Sequence, residues 1–132
     1  MRRSGRCHCG AIRFEFESEQ PLAPRACQCG FCRKHGARTV SDPAGSAKLE
    51  LGDQALRYRF AARAADYILC GCCGIYVGAV VEIGGRAYAT LNLNAFDDPR
   101  PDIEAVAISY DGESPAAKAE RRLKRWTPVR PG

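Results

Sequence analysis

From Ala11 to Glu17, Ile12, Phe14 and Phe16 alternate with Arg13, Glu15 and Glu17. A period of two places the three apolar side chains on one face, so the segment reads as a half-buried β-strand. Gln20 to Pro24 carries two prolines and ends it. Ala47 to Leu51, Leu56 to Phe60 and Ala65 to Leu69 are further short strand-like runs, and Gly52-Asp53-Gln54 between the first two predicts a hairpin. Ile75 to Ile83 and Arg86 to Asn92 form another pair, joined by Gly84-Gly85, which supplies the positive φ angles of a two-residue hairpin turn. Ile103 to Tyr110 is the last predicted strand. Helical character is confined to the C-terminal part, where Ser114 is a candidate N-cap, Pro115 suits a first turn, and Ala116 to Arg125 is rich in helix formers. The expected fold is all-β (mainly β) with one short basic C-terminal helix at about 115–125. With no internal repeat and no dividing linker, residues 1–132 are expected to form a single domain.

Composition changes this picture little until the cysteines are counted. At 45% hydrophobic and 27% charged, the chain is too apolar for disorder. It lacks the roughly 18 uninterrupted apolar residues of a membrane span, the longest candidate being the glycine-punctuated Ile75 to Val81. Met1-Arg2-Arg3 is followed by no apolar segment, so no signal peptide is expected and the expected compartment is the cytoplasm. Eight cysteines in such a reducing compartment read as metal ligands rather than as a disulfide framework.

They fall into three groups: Cys7-His8-Cys9-Gly10, Cys27-Gln28-Cys29-Gly30-Phe31-Cys32 and Cys70-Gly71-Cys72-Cys73-Gly74. Tetrahedral zinc takes four thiolate or imidazole ligands, and short spacings let one turn deliver two sulfurs to one ion. Gly10, Gly30 and Gly74 are placed to let the chain turn around a metal without a Cβ clash. Cys72 and Cys73 are adjacent and their side chains diverge in an extended segment, so seven ligands are expected and Cys72 is a bystander. A natural division gives Cys7, Cys9, Cys70 and Cys73 a closed site, with Cys27, Cys29 and Cys32 forming a three-thiolate site whose fourth position is open. Closed sites are structural, whereas an open position suits catalysis or ligand capture. The implied cofactor is zinc, two per chain. Seven thiolates with two divalent ions subtract three from the formal net charge of +5, leaving +2, which weakens any argument for nucleic acid from overall basicity.

Gly5 to Phe14, Cys27 to Gly36 and Cys70 to Gly74 together resemble the glutathione-dependent formaldehyde-activating enzyme and centromere protein V family. The resemblance runs from Gly5 to about Pro99 and more weakly to Trp126. It implies a small all-β zinc-binding architecture, the β-tent, with one zinc held by the C-x-C and the later C-x-x-C and the other by the C-x-C-x-x-C. It also implies condensation of formaldehyde with glutathione to S-(hydroxymethyl)glutathione, a carbon–sulfur lyase reaction in the reverse sense. The chain departs from the family pattern at Gly74-Ile75, at Asn94-Ala95-Phe96-Asp97 and at Pro101-Asp102-Ile103.

Around these cysteines the other candidates are fewer. His8, between two ligands, is expected to point away from a metal. His35, three residues after Cys32, is a candidate for proton transfer, with a solvated histidine at the end of a turn as its plainer reading. Arg33 and Lys34 are candidates for holding the carboxylates of an anionic thiol such as glutathione, or for balancing thiolate charge. On the C-terminal helix, Lys118, Arg121, Arg122, Lys124 and Arg125 against Glu120 read as a solvated face. Among the basic residues Trp126 is the sole stacking aromatic, which argues against nucleic acid as a partner. The expected partners are a small thiol such as glutathione and a small aldehyde, with no membrane. The alternatives to an enzyme are a noncatalytic thiol carrier and a partner-binding zinc module.

Overall fold

The computed structural model describes residues 1–131, so Gly132, the last residue of the expected domain, lies outside them. The elements in chain order are β1 (Arg2–Arg6), β2 (Arg13–Glu17), β3 (Arg25–Cys27), α1 (Gly30–His35), β4 (Thr39–Val40), β5 (Ser46–Glu50), β6 (Ala55–Tyr58), β7 (Ala65–Cys70), β8 (Tyr76–Ile83) and β9 (Arg86–Asn92). A 3₁₀ turn at Leu93–Ala95, β10 (Val106–Ile108), α2 (Pro115–Arg125) and β11 (Thr127–Pro128) complete the fold. It is mainly β, built as two sheets. The smaller has the order β1-β2-β5, and the larger runs β10-β3-β4-β9-β8-β7-β6 with β11 added to β9. Pairing is antiparallel except between β10 and β3.

The alternation in β2 does what its period demands. Phe14 and Phe16 are buried while Arg13 faces solvent, and together with Ile12 they meet Val40, Ile68, Val77 and Leu91 of the larger sheet and Leu93 of the 3₁₀ turn in one core. Phe96, just past the 3₁₀ turn, sits edge-on to both β2 phenylalanines, at ring centroid distances of 5.2 Å from Phe14 and 5.9 Å from Phe16. β1 crosses so close to this group that a Cβ on Gly5 would fall within about 2.5 Å of the Phe14 ring, so glycine is required there by contact. At the far end the C-terminal segment stitches the sheets together. The Val129 N–H donates to the Ala87 carbonyl of β9 at 2.9 Å, and the Arg130 N–H to the Ala47 carbonyl of β5 at 2.7 Å.

The Gly84-Gly85 hairpin joins β8 to β9, with φ angles of 61° and 79°, and pairs Ile83 with Arg86. The hairpin expected at Gly52-Asp53-Gln54 is not formed. β5 pairs with β2, whereas β6 pairs with β7, so the chain passes from one sheet to the other at this turn. Ala47 is fully buried on β5, while Leu56 and Tyr58 on β6 are exposed, and a hairpin would have put these unlike environments side by side. Of the Ile103 to Tyr110 segment only Val106–Ile108 is strand, held parallel to β3. The one-turn α1, β1, β3, β4 and β11 are additions that the hydrophobic pattern did not reveal. The C-terminal helix starts as expected, the Ser114 hydroxyl accepting from the Ala117 N–H at 3.1 Å and Pro115 opening the first turn. Its cations are not simply solvated. Arg122 is 5% exposed, and Arg121 is clamped to Glu113.

Phe96 is the wedge between β2 and the larger sheet, and removing its ring leaves a cavity that the two phenylalanines of β2 cannot fill. Phe96→Ala is expected to lower unfolding free energy by about 3–5 kcal/mol, read from urea denaturation followed by circular dichroism.

Candidate metal centres

Seven of the eight cysteines converge into two groups. The sulfurs of Cys7, Cys9, Cys70 and Cys73 all lie within 4.8 Å of one another, and so do those of Cys27, Cys29 and Cys32. Cys72 is exposed and belongs to neither group.

Two loops build the four-sulfur group. One is the Cys7–Gly10 turn between β1 and β2, closed by a Gly10 N–H to Cys7 carbonyl bond at 3.1 Å, and the other is the Cys70–Gly74 turn between β7 and β8, closed by Gly74 N–H to Cys70 carbonyl at 2.8 Å. Gly10 and Gly74 both take positive φ, 84° and 80°, which is what lets each chain fold back after its second cysteine. The sulfurs of Cys7 and Cys9 are 3.7 Å apart and those of Cys9 and Cys70 3.6 Å. A tetrahedron with metal–sulfur bonds near 2.3 Å has edges of about 3.8 Å, so the spacing already suits an ion. Backbone N–H groups point at the sulfurs, Ile12 at Cys7 (3.3 Å) and Cys72 at Cys70 (3.4 Å). The Cys9 and Ile75 amides hold Cys73 down to about 6. Cys9, against the pull of the Ala11 amide, is pushed up to about 12 by its contact with Cys70 and by desolvation.

The three-sulfur group is local. Cys27 ends β3, where its register with Ile108 on β10 and the bond from the Gln28 N–H to the Ile108 carbonyl (2.9 Å) fix it. Cys29 is the N-cap of α1, its sulfur accepting from the Cys32 N–H at 3.4 Å, and Cys32 is buried one turn on. Gly30 therefore does not serve as the turn glycine expected of it: it opens the helix, and Gly36 (φ 60°) closes it. Hydrogen bonding with Cys32 brings Cys27 down to about 5, assisted by the Cys29 amide and sulfur and by the charge of Arg121. The same contact with Cys27 and burial push Cys32 far up.

The remaining candidates divide. His8 is exposed, as expected. His35 lies outside the sulfur group and rests on Phe31, at a ring centroid distance of 4.5 Å, and on Tyr76 at 5.5 Å. Arg33 and Lys34 are exposed on α1, and the Arg33 Nε donates to the Gln28 carbonyl at 3.1 Å, so part of its role is to close the cysteine loop. Two arginines that the sequence placed only on a solvated helical face come close to this group, and an aromatic cluster was not singled out from sequence. Arg121 of α2 makes a forked pair with Glu113 (3.0–3.2 Å) and lies 3.6 Å from the centroid of the Tyr110 ring. Arg122 is buried between Trp126 and the Tyr67 hydroxyl, 3.5 Å away, and its Nε has no partner among the described residues. Tyr67 and the fully buried Tyr76 pack against the three sulfurs, burial being the main cause that pushes both phenols up, Tyr67 to about 12. Their spacing in sequence carries no signal, because they come from different elements.

A model of the glutathione-dependent formaldehyde-activating enzyme family matches residues 2–110. The chain belongs to that family. A crystal structure of a Rhodobacter sphaeroides protein is similar to it, with 28% sequence identity, a TM-score of 0.65, and coverage of 80% of this chain and 99% of that one. The family match takes in all seven clustered cysteines and stops before α2. No helix among the described residues is long and apolar enough to cross a membrane.

Two expectations follow. At neutral pH the metal-free protein holds protons on Cys9 and Cys32, so each metal that binds must displace at least one. Calorimetric heats of metal binding in buffers of different ionisation enthalpy are expected to show this release, and affinity is expected to rise with pH by about tenfold per unit for each proton displaced. Cys73→Ala unties the loops of two different sheets and is expected to cost the cooperative thermal transition of the metal-loaded protein. Cys29→Ala is expected to keep it, both being followed by circular dichroism.

Proposed function

We propose that the protein is a zinc-dependent enzyme of the carbon–sulfur lyase class that joins a thiol to a small aldehyde and takes the adduct apart, glutathione and formaldehyde being the pair associated with its family. The observation that carries the reading is the inequality of the two clusters. Four sulfurs fill one coordination shell, while the other cluster offers three within reach of one another. An all-sulfur donor set with these edges suits zinc, which Cys7, Cys9, Cys70 and Cys73 would hold as a structural ion and Cys27, Cys29 and Cys32 as a reactive one. Bound there, zinc supplies positive charge that lowers the pKa of an incoming thiol.

In the forward direction the thiol loses its proton, its sulfur forms a bond to the carbonyl carbon, and the π pair of the C=O bond takes up a proton at oxygen. The reverse breaks the C–S bond and returns both reactants. The protein's own part is position and charge. β3 and α1 set the three sulfurs, and the Cys32 N–H directs the Cys29 lone pairs. Arg121, whose charge is felt at Cys27, offsets the negative charge of the thiolates. His35, on the exposed side of α1, is the proposed proton carrier to bulk water, and Arg33 and Lys34 on the same helix are the proposed holds for the carboxylates of the thiol.

The test is exchange between free thiol and hemithioacetal, followed by NMR with glutathione and formaldehyde and zinc-loaded protein. Exchange is expected to exceed the uncatalysed rate and to fall by at least about a hundredfold in Cys29→Ala. Binding of thiol without acceleration would make the protein a thiol carrier.

A further inference from the structure

The edge strand β6 has two unlike faces. Arg57 turns to one and pairs with Asp66 at 3.1 Å. Leu56 and Tyr58 turn to the other and are 58% and 50% exposed. Their cross-strand neighbours are Leu69 and Tyr67, which pack against the Cys32, Ala37 and Tyr76 cluster. One apolar face therefore runs unbroken from the three-sulfur group to the free edge of the larger sheet. Phe31, carried between Cys29 and Cys32, lies over it. The rings of Phe31, Tyr58 and Phe60 are nearly parallel in every pair, with interplanar angles of 24–27° and centroids 5.4–5.8 Å apart. Tyr67 and Tyr76 support Phe31 edge-on, at 5.0 and 4.9 Å.

Burial needs explain Tyr76 and Tyr67. They do not explain why the outermost members, Leu56 and Tyr58, stay half in water on the last strand of the sheet. Formaldehyde has no apolar surface to cover them, and glutathione is a polar, charged peptide. Aromatic rings held in parallel next to a reactive centre offer offset stacking to one more flat ring.

We propose that Phe31, Tyr58 and Phe60 form a stacking shelf for an aryl group, so that the adducts handled at the three-sulfur site include those in which the thiol or the aldehyde bears an aromatic ring. The inference rests on the thiol–aldehyde reading of that site and names its substrate class. Tyr58 is a specificity-determining residue in it, because its ring is the most exposed of the three and lies farthest out on the sheet.

The test uses the full chain loaded with zinc. Titration with benzyl mercaptan and with 2-mercaptoethanol, followed by amide chemical shifts, is expected to give about tenfold tighter binding of the aryl thiol, with the largest shifts in Leu56–Phe60 and Phe31. Tyr58→Ala is expected to bring that ratio toward one, and Tyr58→Phe to restore it, since the ring and not the hydroxyl is used. Benzaldehyde and benzyl alcohol, which carry no thiol, probe the shelf by itself. Shifts there with benzaldehyde but a ratio near one for the thiols would place the ring on the aldehyde partner. Equal affinity for the two thiols, with no response of Leu56–Phe60 to any aryl probe, overturns the proposal even if glutathione and formaldehyde are turned over. Shelf shifts in a protein that accelerates no exchange would keep the shelf and remove the enzyme.

Discussion

Four sulfurs from two tight turns, Cys9 and Cys70 among them 61 residues apart, meet at the place where the small sheet touches the large one. Both turns would be unremarkable alone. Their meeting fixes the β1–β2 loop against the β7–β8 loop, and so sets the distance at which Phe14, Phe16 and Phe96 can close the core between the sheets. A sulfur cluster of this kind is repulsive once its thiols ionise, so the convergence is satisfied by protons or by a cation and by little else. The fold and its chemistry thus share one electrostatic condition.

The second cluster meets the same condition with different means. It draws on a strand end, a helix cap and the following turn, all within Cys27–Cys32, and is surrounded by side chains rather than by a second loop. Arg121 and Arg122 approach it from α2 and Tyr67 and Tyr76 from the sheet. A buried guanidinium such as that of Arg122, whose Nε has no partner among the described residues, is expensive to desolvate, and its lowered pKa reflects that burial. Tyr67 and Glu113 are the neighbours that favour its charged form.

What could be read from the sequence was what is encoded over a few residues. The alternation of Ile12, Phe14 and Phe16, the Gly84-Gly85 turn, the Ser114-Pro115 helix start and the cysteine spacings each carry their own local rule, and each reappears in the structure. The turn at Gly52 carries a local rule as well, but a tight turn looks alike whether its two strands pair or part, and here β5 and β6 leave for different sheets. β1, with Arg2, Arg3, Ser4, Gly5 and Arg6, has no apolar period and owes its strand to the register with β2. α1 is capped by a cysteine, an unusual choice whose reason is the sulfur's second use. The ring cluster gathers positions 31, 58, 60, 67 and 76, and only the folded sheet puts them together.

The contrast between a cluster confined to six residues and one that reaches from Cys7 to Cys73 also has a meaning in time. Closing a loop of about 60 residues costs roughly 2 kcal/mol more chain entropy than closing one of five. During synthesis the segment Cys27–Cys32 emerges complete, whereas Cys7 and Cys9 must wait for Cys70 and Cys73. The three sulfurs of that segment are thus close in sequence from the start, although their fixed arrangement waits for β10, where Ile108 pairs with Cys27. The four-sulfur group, by contrast, exists only where the two sheets have already met, so a cation held there would fasten folded chain and not nascent chain.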